Sequence, residues 1–367
     1  MRERPRDLTD GAVREALTGW GIEAVRVAYA PVGFGDHHWT AEEAGGRRWF
    51  VTVADLAAKQ LLLGSGGADC RNPGVDDRRA SHPVGRPDDR PDDRPAAAAA
   101  RHDDGRTTAY EALRRALDTA SALREAGLAF VGAPERARDG GTLRRLEHGY
   151  ALSVFRHRAG ASGSFGDTLD AAERGRALDL LAALHGARPP AATPVPRARP
   201  AVLEHLTDTL GALDRSWRAG PYAEPARLLL ARHAAALWDA LARFDRLAGH
   251  VASAGRVVTH GEPHPGNMLR CPGGRRLLVD WDTVGLAPPE RDLWLVAAGA
   301  QDLSRYEAAS GHRADPAALA FYRLRRALED VALHATHFRR RHGRGAETVT
   351  AWSTFARTLE TDFPHDA

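Results

Sequence analysis

The hydrophobic period of this 367-residue chain changes along its length, and that change limits the architectures open to it. Between residues 24 and 55 the runs "VRVAYA", "HHWTAEE" and "RRWFVTV" are alternating or β-rich, separated by the turn stretches "VGFGD" and "AGG". They predict an antiparallel meander, preceded by a helix in "LTDGAVREALTGWGI" with Thr9 as its N-cap. "AFVGAP", "TLRRLEHG" and "YALSVFRHRAG" predict two or three more strands. Beyond the glycine-rich "GASGSFGD" the apolar spacing becomes i, i+3, i+4, and helices are expected over most of the remaining chain. Short strands in "RVVTHG", "NMLRC" and "RRLLVDWD" interrupt that helical region. The expected fold is α+β and bilobal, with a small antiparallel β-rich N-lobe over 1–158 and a larger, mostly helical C-lobe over 159–367.

Residues 64 to about 106 follow neither period. "GRPDDRPDDRPAAAAARHDDG" contains an RPDD repeat and too little apolar surface to offset its ordering entropy, so a disordered insertion is expected between a strand and the helix "TTAYEALRRALDTASALREAG". The net charge is +3 and the chain lacks a basic surface interleaved with aromatics, which argues against a nucleic-acid partner. No apolar run approaches ~18 residues and the N-terminus has no signal-peptide pattern, so a cytoplasmic location is expected. Cys70 and Cys271 are too few for a disulfide framework and read as free thiols. Lys59 is the only lysine in the chain.

The residues with chemical potential gather in "VVTHGEPHPGNML" and the "DWD" that follows. A carboxylate at Glu262, just past a strand end, can accept a proton from an incoming hydroxyl. Asn267 and Asp280 offer hard oxygens suited to Mg²⁺ that also bridges substrate phosphates, and Pro263, Pro265 and Gly266 stiffen the loop between the two functions.

"HGEPHPGN", with Asp280 thirteen positions after Asn267, resembles the catalytic loop and metal-binding aspartate of protein kinases, and the combination "HGExxxxN" with "LLVDWD" resembles the aminoglycoside phosphotransferase family more closely. "LLAALH" ending at His185 and "PPERDLW" carrying Asp292 are similar to that family as well. The resemblance covers most of the chain outside the insertion and implies a protein-kinase-like fold with ATP between the lobes. It implies that Glu262 orients the acceptor hydroxyl, that Asn267 and Asp280 hold Mg²⁺ with Asp282 near enough to be a third ligand, and that His260 and Asp292 brace the loop. It places Gly33 and Gly35 of "VGFGDHHW" over the phosphates and the adenine near Phe155, Arg156 and His157. Glu329 and Asp330, on a late helix, would lie in the acceptor pocket, where acidic groups suit a polycationic antibiotic.

Two departures from the family pattern stand out. Thr52 occupies the place of the lysine expected on the third strand, so no ion pair with a helix glutamate such as Glu111 can form. A missing phosphate contact of that kind costs about 3 kcal/mol, roughly a hundredfold in rate. Lys59, seven residues further on, is expected to be a solvated surface lysine, and Arg48 shares a strand face with Thr52. The second departure is Glu262 itself, longer by ~1.5 Å than the aspartate of protein kinases. It could alternatively only salt-bridge an arginine, and His264 reads as a plain loop histidine.

The function expected from these residues is ATP- and Mg²⁺-dependent transfer of the γ-phosphoryl group to a hydroxyl of a small polar molecule, with aminoglycosides and spectinomycin-like antibiotics among the acceptor classes. The alternative is a kinase-like binding module that has lost transfer, a reading that rests on Thr52.

Overall fold

The structure is a computed structural model that describes residues 4–33, 35–63 and 94–364, with the backbone alone for 61–63 and 94–103. The chain opens with α1 (Asp10–Leu17), whose N-cap Thr9 accepts from the Ala12 amide at 3.1 Å. Strands β1 (Ala24–Ala30), β2 (His37–Glu43) and β3 (Arg48–Asp55) follow as antiparallel neighbours. Helix α2 (Leu56–Leu63) leaves β3 without a break, because Asp55 turns its side chain onto the Ala57 amide at 2.8 Å and caps the new helix. After α3 (Arg94–Glu125), β4 (Arg144–Arg145) and β5 (Tyr150–Arg156) complete a five-stranded sheet in the order β1-β2-β3-β5-β4.

The second lobe holds α4 (Ala171–His185), α5 (Ala201–Leu210), α6 (Ala223–Arg232) and α7 (Ala234–Val251). The short strands β6 (Val257–Thr259), β7 (Met268–Arg270), β8 (Arg276–Leu278) and β9 (Gly285–Ala287) come next, pairing as β6 with β9 and β7 with β8. The described chain closes with α8 (Glu290–Val296), α9 (Ala300–Ser310), α10 (Pro316–Arg339) and α11 (Ala346–Asp362). This is the expected bilobal α+β fold.

Period-two patterning sorts the two faces of the sheet. Trp39, Trp49, Val51, Val53, Leu152 and Val154 bury one face against Val13 and Leu17 of α1. On the other face Ala54 and Ala151 pack against Leu113 and Leu117 of α3. One turn along, Ala116, Ala120 and Leu123 of the same helix enter a second core with Val258, Met268, Leu278 and Trp281. Helix α3 therefore ties the sheet to the strands that carry the catalytic-loop motif. Helices α5, α6, α7, α10 and α11 enclose a third core around Phe244, Phe321 and Phe338.

The structure corrects the expected extent of the disordered insertion. Its repeat-bearing part, 64–93, lies outside the described residues, but the backbone is helical from Arg94, so the stretch to 106 belongs to α3. Five consecutive alanines, the strongest helix formers, account for the early start, and Pro95 falls in the first turn where its missing N–H costs nothing. Helices α2 and α9 had no counterpart in the sequence reading. No helix among the described residues is long and apolar enough to cross a membrane.

Candidate active site

The β-branched run Val257–Thr259 delivers His260 to the strand end, where the chain turns through Gly261 at φ 99°. A side chain at 261 would be strained by that φ and would meet the Arg291 guanidinium at 2.5 Å. Arg291 itself is anchored, donating to Thr259 Oγ1 and to the Thr283 carbonyl at 2.8 Å each. His264 then caps a 3-10 turn, Pro265–Asn267, by accepting from the Gly266 amide at 3.1 Å. Asn267 Nδ2 donates to the Glu262 carbonyl at 3.0 Å, so one tight turn sets the spacing between Glu262 and Asn267. The β7–β8 hairpin brings the chain back, and the Val279 amide donates to the Asn267 carbonyl at 3.0 Å. Asp280 follows at φ 65°, a left-handed conformation uncommon for a non-glycine residue and often found at functional sites.

Asp292, fully buried on α8, ties this loop down. Its carboxylate accepts from the His260 amide at 2.7 Å, the Gly261 amide at 2.6 Å and His185 Nε2 at 3.1 Å. Tyr306 Oη, 2.6 Å from His185 Nδ1, completes the chain of contacts. Burial pushes the Asp292 carboxyl up, but the contact with His185 and the neighbouring positive groups outweigh it and hold it below the usual carboxylate range. His260 lies edge-on to the buried Trp281, and its Nε2 donates to the Val279 carbonyl at 2.9 Å. Asp292→Ala leaves the His260 and Gly261 amides and His185 without this partner, and is expected to destabilise the fold by about 3 kcal/mol. Urea midpoints at matched slope measure this, and a loss well under 1 kcal/mol would contradict the bracing geometry.

The structure overturns the expectation that Lys59 is a solvated surface residue: it is only 7% exposed. Capping by Asp55 starts α2 at the end of β3 and aims Lys59, one turn later, inward. Its Nζ lies 3.1 Å from Asp36 Oδ2 and 2.5 Å from Asp282 Oδ2. Burial alone would lower the Lys59 pKa, yet Asp282, Asp36 and Asp280 together hold it well above its ordinary value. The sole lysine is thus a buried cation that joins the first lobe to the "DWD" motif. Asp280 is pushed well above the carboxylate range, chiefly by the negative charge of Asp282 and then by burial, with Lys59 opposing. Burial also raises Asp36.

Asp36 directly follows the glycine loop. Gly33 and Gly35 have φ of 72° and 97°, and a Cβ at Gly33 would stand 2.9 Å from His38 Nε2. His38 stacks on Phe50 with ring centroids 4.9 Å apart, and its Nδ1 is 3.3 Å from Thr52 Oγ1. Burial lowers the His38 pKa to about 3, so Thr52 is paired with a neutral ring. Phe155 lies beside Phe50 on β5, and the His157 amide donates to the Arg48 carbonyl at 3.1 Å, which places both at the sheet end next to the connection to the second lobe. Glu111 pairs with Arg114 on its own helix at 2.8 Å.

On the opposite side, Arg326 of α10 donates to Glu262 Oε1 at 2.7 Å, so the arginine contact considered from sequence does exist. Burial raises Glu262 above its ordinary carboxylate value, with Arg326 pulling it down and Asp282 and Glu329 adding to the rise. Asp330 accepts from Arg326 Nε at 3.1 Å and Glu329 from Arg325 Nε at 2.9 Å. Sequence reasoning missed Arg326 entirely, since nothing local marks it out within "LRRALED".

Asn267, Asp280 and Asp282 form an oxygen donor set with excess negative charge, which fits a hard divalent cation. No cluster of three His, Cys, Asp or Glu side chains that could by itself hold a metal ion occurs among the described residues, so phosphate oxygens and waters would have to complete the coordination. One carboxylate at a loop, a buried ammonium and a metal-suited pair of aspartates beneath a glycine loop form a constellation able to position and stabilise a transferring phosphoryl group.

The model of the phosphotransferase enzyme family matches residues 40–341 of this chain. Protein StrN of Streptomyces griseus is 30% identical over 251 residues, which span 65% of this chain and 74% of that protein. Spectinomycin phosphotransferase, solved with ADP and spectinomycin, superposes with a TM-score of 0.66 at 15% identity, covering 96% of this chain and 95% of its own. Amicoumacin kinase, solved with AMP-PNP and Ca²⁺, gives a TM-score of 0.52 at 13% identity over 97% and 95%.

Proposed function

Because the chain belongs to the phosphotransferase enzyme family, we propose that it moves the γ-phosphoryl group of ATP to a hydroxyl of a small polar molecule, using Mg²⁺. The nucleotide lobe is 1–158, the acceptor lobe is 159–367, and the reaction runs in the cytoplasm, where ATP is abundant. Antibiotics of the spectinomycin or aminoglycoside type are the first acceptor classes to consider.

The observation that carries this reading is the position of Lys59, whose ammonium lies between Asp36 at the base of the glycine loop and Asp282 of the metal-suited pair. A phosphate chain lying under that loop meets a cation there despite Thr52. The acceptor oxygen attacks the γ-phosphorus, the bond to the β,γ-bridging oxygen breaks, and the hydroxyl proton passes to Glu262. Arg326 holds Oε1 of Glu262, leaving the other oxygen to face the acceptor. Asn267, Asp280 and Asp282 would hold Mg²⁺, which when bound neutralises charge on the phosphates. Phe155 and His157 border the adenine, Gly33 and Gly35 cover the phosphates, and His260 and Asp292 keep the loop in register. The lapsed binding module loses its support, since the cation it lacked on β3 is supplied from α2.

The test is Mg²⁺-dependent ADP release with spectinomycin, aminoglycosides, macrolides, sugars and amino alcohols as acceptors. At least one acceptor is expected to stimulate release, and Glu262→Gln is expected to lower kcat by roughly 10²–10⁴-fold, the range of a lost general base. Neither nucleotide binding nor stimulated release with any acceptor would sink the proposal.

The pH profile has a definite sign. Ionised Glu262 is the active form and its pKa is raised, so kcat/KM is full above that raised value and falls about tenfold per pH unit as pH drops through it. A profile flat down to the ordinary carboxylate range would remove Glu262 from the proton path.

A further inference from the structure

Thr52 stands where the family pattern has a lysine, and the strand register gives it a partner. His38 of β2 lies directly opposite Thr52 of β3, so both side chains leave the sheet on the same face, away from the one that α1 covers. Thr52 Oγ1 is 3.3 Å from His38 Nδ1, and the ring stacks on Phe50, two residues back along β3 on that face, with the ring planes 28° apart. Those two contacts fix the orientation of the imidazole. Its far nitrogen, Nε2, points at the glycine loop, 2.9 Å from where a Cβ of Gly33 would stand. The neighbouring His37 turns to the opposite face, where its Nδ1 is 3.3 Å from Tyr29 Oη, so of the two histidines it is His38 that meets the loop.

A neutral imidazole carries one proton, and the hydrogen bond made by one nitrogen decides whether the other holds it. Burial and the positive charge of Lys59 keep the His38 ring neutral. Thr52 can donate its hydroxyl proton to Nδ1, which leaves the ring proton on Nε2, facing the loop.

We propose that His38 is a nucleotide-binding residue that donates from Nε2–H to a phosphate oxygen beneath the glycine loop, with Thr52 holding the ring in the tautomer able to donate. The inference rests on the phosphotransfer reading in that it takes the phosphates to lie under Gly33 and Gly35. His38 is then a second phosphate contact beside Lys59, and the threonine that replaced the lysine acts through it. The donor is already oriented before the nucleotide arrives, so binding does not have to order it. In the other tautomer Nε2 would turn a lone pair toward an oxygen that only accepts, so the position of the proton decides the role.

The test compares Mg²⁺-ATP binding to the full-length protein, by calorimetry, with adenosine binding followed by NMR titration. His38→Leu fills the space without an N–H group. It is expected to weaken ATP by roughly tenfold or more, the scale of a lost hydrogen bond to a charged group, and to leave adenosine within about twofold. His38→Gln, whose amide nitrogen can stand in for Nε2, should recover most of the ATP affinity. Long-range ¹H–¹⁵N correlation on the wild type with AMP-PNP should show the proton on Nε2, the His38 signals being those missing from His38→Gln. If the leucine variant fails to fold, this measurement on the wild type still decides. Unchanged ATP affinity in His38→Leu, a loss shared by adenosine or left unrecovered by glutamine, or an Nε2 without its proton overturns the role of His38 alone. A wild type that binds no ATP would overturn the phosphotransfer reading and this proposal together.

Discussion

Replacing Lys59 with methionine is expected to lower kcat/KM for phosphoryl transfer by roughly 10²–10³-fold, the scale for removing a fixed electrostatic contact to the transition state. The residue is the chain's only lysine, and its ammonium stands where the glycine loop and the "DWD" aspartates converge. Lys59→Arg should recover part of the rate, because it restores the charge with a different reach. Methionine also leaves Asp36 and Asp282 buried without their shared cation, and breaking a buried pair in this way costs about 3–5 kcal/mol. Activity is therefore compared at a temperature where the variant is folded by circular dichroism. A folded Lys59→Met protein with wild-type kcat/KM would mean that the lysine only holds the two lobes together.

Asp280→Asn is expected to move activity and stability in opposite directions. Transfer should fall by roughly 10²–10³-fold, since a neutral amide replaces an anionic ligand of the proposed Mg²⁺ site. Stability of the nucleotide-free protein should rise by about 1 kcal/mol, because the substitution removes a like-charge contact with Asp282 that burial intensifies. Asparagine tolerates the left-handed φ of 65° at this position at least as well as aspartate, so the backbone is not the cause of either change. Steady-state kinetics and urea unfolding on the same preparation measure the two effects. A variant that loses both activity and stability would show that Asp280 is structural.

Most of the architecture was legible because periodicity is a local property. The β2 and β3 runs alternate, α10 carries apolar residues on one face, and the loop from His260 to Asn267 has a spacing that only a tight turn satisfies. Lys59 was misread because burial depends on what packs above a residue. Nothing within "ADLAAKQ" states that Asp55 caps a helix there and turns the lysine toward Asp282, more than two hundred residues away. The start of α3 was misplaced for a different reason: composition suggested disorder, while the alanine run favours helix. Glu329 and Asp330 looked like an acidic acceptor surface because a single sequence shows charges without their partners. Arg325 and Arg326, four residues earlier on the same helix, are those partners.

The central claim, that Lys59 supplies the phosphate contact missing at Thr52, can be tested directly because there is no other lysine side chain to confuse the result. An acyl-phosphate derivative of ATP places an electrophile at the γ-phosphate and transfers its acyl group to a nearby amine, and peptide mass spectrometry locates the product. The account predicts acylation of Lys59 that requires Mg²⁺ and disappears with excess ATP. Protein that binds the reagent in competition with ATP while Lys59 stays unmodified would contradict it.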